Sequence, residues 1–449
     1  MDKVITIRKG LDMKLKGEAE RVTVNSRSAF YAVKPTDFHG VLPKLLVAEG
    51  DRVEAGTPLF FNKYSERVLF TAPVSGVVEA VRRGERRRLE EIVIRADEDV
   101  VYRRFDVPDL ATATPEALEE VLLASGLWPV IRQRPYDVIA TPGVAPHSVF
   151  ISCFDSAPLA PDLDFLISQR GAEFQLGIDV IRKLSGAPVN LGVHADKTKA
   201  TEFLSAQGVN INVFRGPHPA GNVGVQIHHV DPVVKGDVVW VIHPLDVAMI
   251  GRFFLRKEYD TTRVIALTGS SVKQPKYYKT HMGADISALV EGQVTEENQR
   301  YISGNVLTGT RIEPNGFLGF YHHGCTVIPE GDHYEFMGWA RPGFDAFSFT
   351  NTFLSKIFHR KPFAPHTNLN GGERAFVVTG QYEKVFPMDI FPVQLLKAIM
   401  IKDIDLMENL GIYEVVEEDM ALCEVMCTSK IEVQSILREG LDLIRKEMS

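Results

Sequence analysis

The amino-acid sequence predicts a multidomain α/β protein with a β-rich beginning and a helical end. Glycine-containing turns divide the first hundred residues into short strand-like runs. Strand and helix patterns then alternate from about residue 108 to residue 267, which is typical of a largely parallel sheet with helices on both faces. From about residue 389 onward, apolar residues recur at the three- and four-residue spacing of amphipathic helices.

Length and composition indicate a large globular protein. The chain has 449 residues, which is too long for one ordinary hydrophobic core. The net charge of −8 disfavours a nucleic-acid partner, because phosphate binding needs clustered Lys and Arg. Four cysteines fit a reducing compartment better than a disulfide framework. We expect no signal peptide and no transmembrane helix, because no apolar run is long enough for either.

One segment departs from the acidic balance of the chain. Five arginines lie within the seven residues from Arg82 to Arg88. The favoured interpretation is a solvated hairpin turn. The alternative is a docking patch for an acidic partner or for lipid headgroups.

Two segments of the β-rich part, 47–59 and 70–78, resemble the two halves of the biotinyl- and lipoyl-carrier barrel. Their glycines supply the tight turns of such a flattened barrel. A working carrier has a lysine at the tip of the hairpin between the halves, in Met-Lys-Met or Asp-Lys-Ala. The nearest lysine here is Lys63, in Phe-Asn-Lys-Tyr. We therefore predict a barrel without a prosthetic group.

The alternating region indicates a Rossmann-like scaffold. Its predicted strands and helices are strands at 148–154, 188–193, 209–214, 238–242 and 263–267, and helices at 115–124, 171–184, 198–206 and 246–255. Ligands of such sheets bind beyond the carboxyl ends of the strands. The loop 155–161 after the first of these strands lacks Gly-x-Gly-x-x-Gly and contains Pro158 and Pro161. We predict no dinucleotide site there, because a pyrophosphate needs free backbone N–H groups close by.

The last third of the chain is predicted to contain three segments. A small α+β module is predicted from a helix at 283–289 and strands at 306–311 and 317–321. An aromatic-rich segment follows at 336–358. Predicted helices close the chain at 391–401, 403–410, 418–426 and 431–446.

A glycine-rich loop after the strand at 209–214 holds the weak candidates for cofactor binding. These residues are Gly216, His218, Gly221 and Gly224. Flavin or phosphate binding is conceivable, but prolines within the loop remove N–H donors. A structural loop is the favoured interpretation. The alternative function is a soluble flavin-dependent NADH dehydrogenase that uses this loop.

Other motifs do not complete a site. The adjacent His228 and His229, if on a strand, would point to opposite faces. The motif 322–325, His-His-Gly-Cys, lacks a second ligand pair. Cys423 and Cys427 are too few for an iron–sulfur cluster and are expected to share one helix face in packing. The chain has no Gly-x-Ser-x-Gly, P-loop or His-Glu-x-x-His motif. We predict no catalytic residue and no metal site.

Taken in chain order, several motifs resemble the A subunits of the sodium-translocating NADH:quinone reductases. They lie at 5–12, 70–76, 216–221, 227–232, 329–331, 336–339, 342–345, 370–375 and 387–392. That family is distantly similar to the flavin- and NADH-binding subunit of respiratory complex I. The resemblance implies a carrier-like barrel at 1–105, a Rossmann-like domain at 106–260, a β-grasp-like module at 261–335, and an aromatic-rich and helical part at 336–449.

The resemblance also implies a function within a complex. The complex would oxidise NADH, reduce ubiquinone and pump sodium out of the cytoplasm, with NADH, flavins, iron–sulfur centres and ubiquinone held elsewhere. This chain would be a cofactor-free peripheral subunit linked to the quinone-reducing step, on the cytoplasmic face of the bacterial inner membrane. Its partners would be the other subunits, with ubiquinone as a candidate ligand. We expect the helical C-terminus or the arginine turn to face them.

Overall fold

The structure is a computed structural model that describes residues 4–294, 298–332, 336–340, 342–344, 346–349, 353–355 and 362–448. The aromatic-rich segment predicted at 336–358 lies partly outside these residues, and so does the last position of the motif at 342–345. No helix of the described chain combines the length and the apolar character needed to cross a bilayer.

The strands, in chain order, are β1 (Ile5–Thr6), β2 (Glu20–Asn25), β3 (Phe30–Val33), β4 (Pro43–Leu45), β5 (Arg52–Val53), β6 (Pro58–Asn62), β7 (Ser65–Thr71), β8 (Gly76–Arg83), β9 (Leu89–Ala96), β10 (Arg132–Arg134), β11 (Val138–Ile139), β12 (Ser148–Ser152), β13 (Val189–His194), β14 (Asn210–Arg215), β15 (Val239–Val241), β16 (Thr262–Thr268), β17 (Lys276–His281), β18 (Gln299–Ser303), β19 (Thr310–Ile312) and β20 (Gly324–Pro329).

The α-helices, in chain order, are α1 (Pro115–Ser125), α2 (Leu163–Ile167), α3 (Gly171–Ser185), α4 (Thr201–Leu204), α5 (Val223–Val230), α6 (Pro244–Arg256), α7 (Ser287–Val290), α8 (Tyr382–Val385), α9 (Pro392–Met400), α10 (Ile404–Asn409), α11 (Glu417–Val425) and α12 (Val433–Met448).

A seven-stranded sheet forms the centre of the α/β part, in the order β1-β14-β13-β12-β15-β10-β11. The first five of these strands are parallel, whereas β10 runs antiparallel to both β15 and β11. Counted along the chain from β12, the four central parallel strands have the spatial order 3-2-1-4. The order therefore reverses between β12 and β15, which defines a topological switch point.

The two faces of this sheet are covered by different helices. Val149 and Ile151 of β12 belong to the apolar core that includes residues of α3 and α6. Phe150, on the opposite face, packs with Val223 and Ile227 of α5. Because successive side chains of a strand alternate in direction, the short buried strand β12 contacts the helices on both faces of the sheet.

Two smaller sheets form the β-rich N-terminal part. One has the order β3-β9-β8-β5 and the other β4-β6-β7. Their inward side chains share one core, in which the rings of Phe60 and Phe70 stack with centroids 4.3 Å apart. The arginine run forms the turn between β8 and β9, as predicted from the sequence.

The first residues of the chain belong to other sheets. Strand β1 pairs with β14 of the seven-stranded sheet, and β2 pairs with β17 of a six-stranded sheet. The chain thus passes along two neighbouring units before it enters the N-terminal sheets. The domain boundaries given above stay predictions.

The six-stranded sheet is mixed, with the order β19-β18-β20-β16-β17-β2. The prediction of a strand at 317–321 is wrong. The buried strand β20 begins three residues after that segment. The aromatic side chains of that run pack away from the sheet, since the ring of Phe38 contacts Phe320 at 4.9 Å and Tyr321 at 5.8 Å. The strand predicted at 306–311 starts later, because the Asn305 side chain accepts the N–H groups of residues 307 and 308 in a turn.

The C-terminal helices have a core of their own, which also contacts the α/β part through Phe214 and Val225. Helix α12 confirms the predicted amphipathic pattern, with Leu437, Leu441 and Ile444 fully buried. Its apolar stripe packs inside this chain. Amphipathicity of the C-terminus therefore no longer supports docking to a partner.

Helices α3 and α6 approach each other through glycines. An added Cβ at Gly177 would lie 2.0 Å from the carbonyl oxygen of Val247, and one at Gly251 would lie 1.8 Å from that of Glu173. These distances are far below van der Waals contact. The backbones can approach so closely only because both side chains are absent.

We expect Gly177→Ala to lower the free energy of unfolding by about 1–2 kcal/mol. The gain of about 1 kcal/mol in helix propensity is outweighed by overpacking against a rigid backbone. Urea unfolding followed by circular dichroism measures the change. Gly171→Ala is the control, because its Cβ would meet only the flexible Glu202 side chain at 3.3 Å. A Gly177 variant as stable as the parent chain would contradict the close approach.

Candidate functional site

A cavity of about 520 Å³ lies beyond the carboxyl ends of β12 and β15. Open α/β sheets bind ligands in this crevice at the switch point. We call it the switch-point cleft. Its walls come from all four parts of the chain, through Asp37, Arg132, Asp155, His322, Glu418 and Arg438 among others. A smaller cavity of about 130 Å³ adjoins it and shares Asp155, His243 and Glu418.

Asp155 lies three residues after the end of β12, where it is exposed and lines both cavities. Its Oδ1 accepts a hydrogen bond from the N–H of Ala157 at 2.8 Å. Partial desolvation by the walls of the cleft raises the pKa of Asp155 to about 6, against that hydrogen bond, and the charge of Glu418 adds to the rise. Asp155 can therefore exchange a proton near neutral pH.

Two arginines of β10 pair with carboxylates at this site, and Arg132 is the one that lines the cleft. Nη1 of Arg132 lies 2.8 Å from Oδ2 of Asp137, and Nη2 of Arg134 lies 2.9 Å from Oε1 of Glu418. Burial opposes ionisation of Asp137, but Arg132, Arg134 and Arg438 outweigh it and hold its pKa at about 2. Asp137 is therefore an ionised partner of Arg132 at neutral pH, whereas the raised pKa of Asp155 lies close to neutral.

Arg438 closes the cleft from α12. Its guanidinium pairs with Glu417, with 2.6 Å between Nη2 and Oε2, and donates from Nη1 to the carbonyl oxygen of Tyr136 at 2.9 Å. The α12 helix is thereby tied to the turn between β10 and β11. Charge pairing thus fixes the relative positions of the C-terminal helices and the parallel sheet.

Asp419 lies beside Glu418 but points into the interior, where it is 2% exposed. Its Oδ2 accepts the N–H of Val416 at 3.1 Å. Burial and the neighbouring Glu418 raise the pKa of Asp419 to about 8. At neutral pH the native protein therefore holds a proton there.

His243, Asp246 and His323 form a buried trio at the start of α6, with one potential ligand atom of each within 4.8 Å of the others. The imidazole rings stack with centroids 4.0 Å apart, so their lone pairs do not converge on one point. Nη2 of Arg263 already binds Oδ1 of Asp246 at 2.9 Å. Burial lowers the pKa of His243 to about 3 and that of His323 well below its usual range. This geometry favours a buried ion pair beside neutral imidazoles over a metal site.

Comparison with known proteins decides the family. Three family models match, described as the NqrA N-terminal barrel-sandwich hybrid domain at residues 5–97, the NqrA second alpha/beta domain at 113–259 and the NQRA C-terminal domain at 264–313. The A subunit of the Na(+)-translocating NADH-quinone reductase of Yersinia pseudotuberculosis is 40% identical over 99% of this chain and 100% of its own. The chain belongs to this NqrA family.

The Pseudomonas aeruginosa member is 39% identical over 99% of this chain and all of its own length. The family assignment from sequence motifs is thereby confirmed, and so are a barrel-sandwich domain and an α/β domain. Among solved structures, an NAD+-reducing [NiFe]-hydrogenase in the air-oxidised state is 12% identical, with a TM-score of 0.39 over 77% of this chain and 67% of its own.

In this member of the NqrA family, the glycine-rich loop between β14 and α5 packs tightly against the protein. An added Cβ at Gly216 would lie 2.3 Å from the carbonyl oxygen of Ile7, and one at Gly221 would lie 2.6 Å from the nitrogen of Ser156. At Gly224 it would lie 2.4 Å from Oδ2 of Asp419. Protein atoms occupy the space that a pyrophosphate would need at these positions, so the loop does not fit a flavin nucleotide.

His218, the remaining residue proposed for that loop, is 3% exposed and lies at the wall of the smaller cavity. The N–H of Gly221 donates to Oγ of Ser156, which lies 3.0 Å from Nδ1 of His218. The backbone N–H of His218 donates to Asp12 at 2.9 Å. Burial lowers the pKa of His218 to about 4. These contacts give the neutral ring a role in holding the loop.

His228 and His229 lie on helix α5 and not on a strand. His228 lies 2.7 Å from Glu414 through Nδ1 and accepts the N–H of Asp389 through Nε2 at 3.0 Å. Nδ1 of His229 contacts the carbonyl oxygen of Val225 at 2.8 Å. The apolar residues of α5 alternate with polar ones over its first half, and this spacing resembles a strand in sequence.

The cysteine motifs are buried. Cys423 lies on α11, whereas Cys427 lies two residues beyond its end and so does not continue the helix face predicted for the pair. Cys325 lies within β20, where burial raises its pKa to about 12. His322, two positions before β20, lies 2.8 Å from Oγ of Ser303 through Nδ1. The motif 322–325 is thus divided between a loop and a strand.

Lys63 lies exposed in the turn between β6 and β7, at the tip of a hairpin. Sequence reasoning missed Arg132 and Glu418, which are far apart in the chain and meet at the cleft, and it missed the buried Arg134 that pairs with Glu418. The available signal was two arginines within a stretch of apolar residues and prolines from Leu127 to Pro135, because arginines in such a setting are usually paired.

We expect Asp419→Asn to become progressively more stable than the parent chain as the pH rises from 5 to 8. The folded pKa of about 8 lies above the ordinary value of 3.8. The contribution of this proton to stability is therefore complete below pH 4 and is lost as the pH rises towards 8. The amide mimics the protonated form, so the difference grows by up to about 1.4 kcal/mol per pH unit.

Urea unfolding of both chains at several pH values tests this expectation. Asp179→Asn, at a 40% exposed position on α3, is the control. This variant shows the effect of removing a carboxylate from the surface of the same protein. A difference at position 419 that stays constant between pH 5 and 8 would rule out a buried protonated carboxyl group.

Proposed function

We propose that this chain is a peripheral subunit of a membrane complex that oxidises NADH, reduces ubiquinone and moves sodium out of the cytoplasm. The observation that carries this proposal is the alignment with relatives of that name at 40% identity over 99% of this chain and 100% of theirs. We place the chain on the cytoplasmic face of the bacterial inner membrane, held by partner subunits. Each of its parts then has a counterpart in the relatives.

We further propose that the chain holds no redox cofactor, and that flavins, iron–sulfur centres and the NADH site lie in other subunits. The contacts of Gly216, Gly221 and Gly224 support this, since protein atoms fill the space beside each of them. The alternative, a flavin-dependent NADH dehydrogenase that uses this loop, would require the same atoms to move apart.

The finer domain assignment is also a proposal. A Rossmann-like domain at 106–260 is supported by the 3-2-1-4 order of its parallel strands. A carrier-like barrel at 1–105 and a β-grasp-like module at 261–335 agree with the ranges of the family models, 5–97 and 264–313. The helical part at 336–449 completes the chain.

We propose that the switch-point cleft links this protein to the quinone-reducing step. Reduction of a quinone to a quinol takes up two protons, so a nearby group that titrates around neutral pH is useful. Asp155 has this property, while Arg132, Asp137 and Arg438 around it stay charged and paired. In this proposal Asp155 exchanges a proton and the paired charges hold its surroundings fixed.

The purified chain alone is expected to be colourless and inactive in an NADH–dye assay. Its intact mass should equal the sequence mass, because the residues flanking Lys63 do not match a carrier motif. Co-expressed with membrane subunits of the complex, it should purify with them. A yellow protein that reduces dye with NADH would favour the dehydrogenase alternative, and an added mass at Lys63 would favour a carrier.

In the assembled complex, we expect Asp155→Asn to slow ubiquinone reduction by about tenfold or more and to leave NADH–dye activity unchanged. The amide keeps the hydrogen bond from Ala157 but cannot exchange a proton. Asp179→Asn, remote on α3, is the matched control and should affect neither activity. Ubiquinone reduction at the parental rate would remove Asp155 from the mechanism, and an equal loss of both activities would indicate an assembly defect.

A further inference from the structure

The turn between β8 and β9 has a backbone geometry that suits other residues better. The N–H of Arg88 bonds the carbonyl oxygen of Glu85 at 3.1 Å, which closes a four-residue turn. The central residues both have positive φ, at 53° for Arg86 and 61° for Arg87. Both central residues are therefore left-handed, as they are in a type I′ turn, where Asn-Gly is strongly favoured.

Turn formation therefore does not explain the arginines. A side chain with a Cβ is disfavoured in the left-handed region, and arginine lacks the short polar side chain that helps asparagine there. Strained residues of this kind are typical of positions where the side chain serves a function. The side chains of Arg86 and Arg87 are thus the reason to look for a ligand.

The positive charges at the tip of this turn are exposed and have no ion-pair partner within the described chain. Residues 85–88 are all exposed. Arg82 is paired with Glu91 at 2.8 Å, and Arg83 donates to the carbonyl oxygen of Arg87 at 3.1 Å. Within the described chain, no ion pair involves Arg86, Arg87 or Arg88. Three guanidinium groups thus face solvent on a chain of net charge −8.

We propose that this arginine turn binds the phosphate groups of anionic phospholipids at the membrane surface. The proposal rests on the proposed function, which places the chain at a membrane. A protein partner would need an apolar centre in its interface, and every residue from 85 to 88 is charged. Binding to a layer of anionic headgroups requires only positive charge on the protein. The planar guanidinium group can donate two parallel hydrogen bonds to two oxygens of one phosphate. The negative remainder of the chain would be repelled, so binding would orient the molecule.

The turn geometry allows a test that separates binding from folding. In the Arg86→Asn, Arg87→Gly double variant, the turn receives its preferred residues and loses two charges. We expect a melting temperature equal to or above that of the parent chain, together with about thirtyfold weaker partition onto vesicles of phosphatidylglycerol and phosphatidylcholine at low salt. Arg86→Lys with Arg87→Lys keeps the charge and should keep most of the binding.

Charge loss elsewhere provides the matched control. Arg67→Gln with Arg95→Gln changes the net charge equally at positions that are 52% and 56% exposed. This variant should bind the vesicles like the parent chain. Co-sedimentation of the full chain measures the partition, with pure phosphatidylcholine vesicles as the uncharged surface.

The proposal is overturned if the parent chain does not partition onto anionic vesicles at low salt, or if the Asn-Gly variant partitions as well as the parent chain. Binding to an acidic peptide without binding to vesicles would assign the turn to a protein partner and would also overturn it. A less stable Asn-Gly variant would show that the arginines serve the fold and would overturn the proposal as well. None of these results would change co-purification with membrane subunits, which tests the proposed function separately.

Discussion

An ion pair between Arg134 of β10 and Glu418 of α11 joins the C-terminal helices to the parallel sheet. The side chain of Arg134 is 2% exposed, and its guanidinium reaches Glu418 at 2.9 Å and Asp137 at 3.8 Å. Removal of Glu418 would leave the buried guanidinium of Arg134 with only the more distant carboxylate of Asp137, which is unfavourable because a buried charge needs a close partner. The same pairing holds Glu418 where it lines both cavities. The shape of the cleft and the docking of α11 therefore have one physical cause.

The glycine-rich loop after β14 shows how a fold of the dinucleotide-binding type can contain such a loop without binding a nucleotide. In a phosphate-binding loop, a missing Cβ lets the ligand approach the backbone. Here the missing side chains of Gly216, Gly221 and Gly224 let other parts of the chain approach instead, from the residue after β1, from the loop after β12 and from α11. The sequence pattern is the same in both cases. Only the packed fold distinguishes them, because the occupant of the space is distant in sequence.

Local patterns explain which elements the sequence predicts well. Helices α1, α3, α6 and α12 and the central parallel strands follow from apolar periodicity, which is a local property. Phe320 was misassigned to a strand because its apolar run packs onto Phe38, 282 positions earlier, which no local pattern indicates. The pairing of Arg134 with Glu418 spans 284 positions. The candidate loop was recognisable from sequence, whereas the charged walls of the cleft required the fold.

Arginine has opposite roles in two places on this molecule. In the cleft, Arg132 and Arg438 face carboxylates, and pairing neutralises them so that the titrating group there is a carboxyl, Asp155. At the β8–β9 turn, Arg86 and Arg87 occupy positions where glycine and asparagine are better suited, and their charge faces solvent. A paired arginine stabilises the structure around it. An unpaired and sterically disfavoured one is retained at a cost to stability, and binding outside the chain is the physical reason that fits this cost.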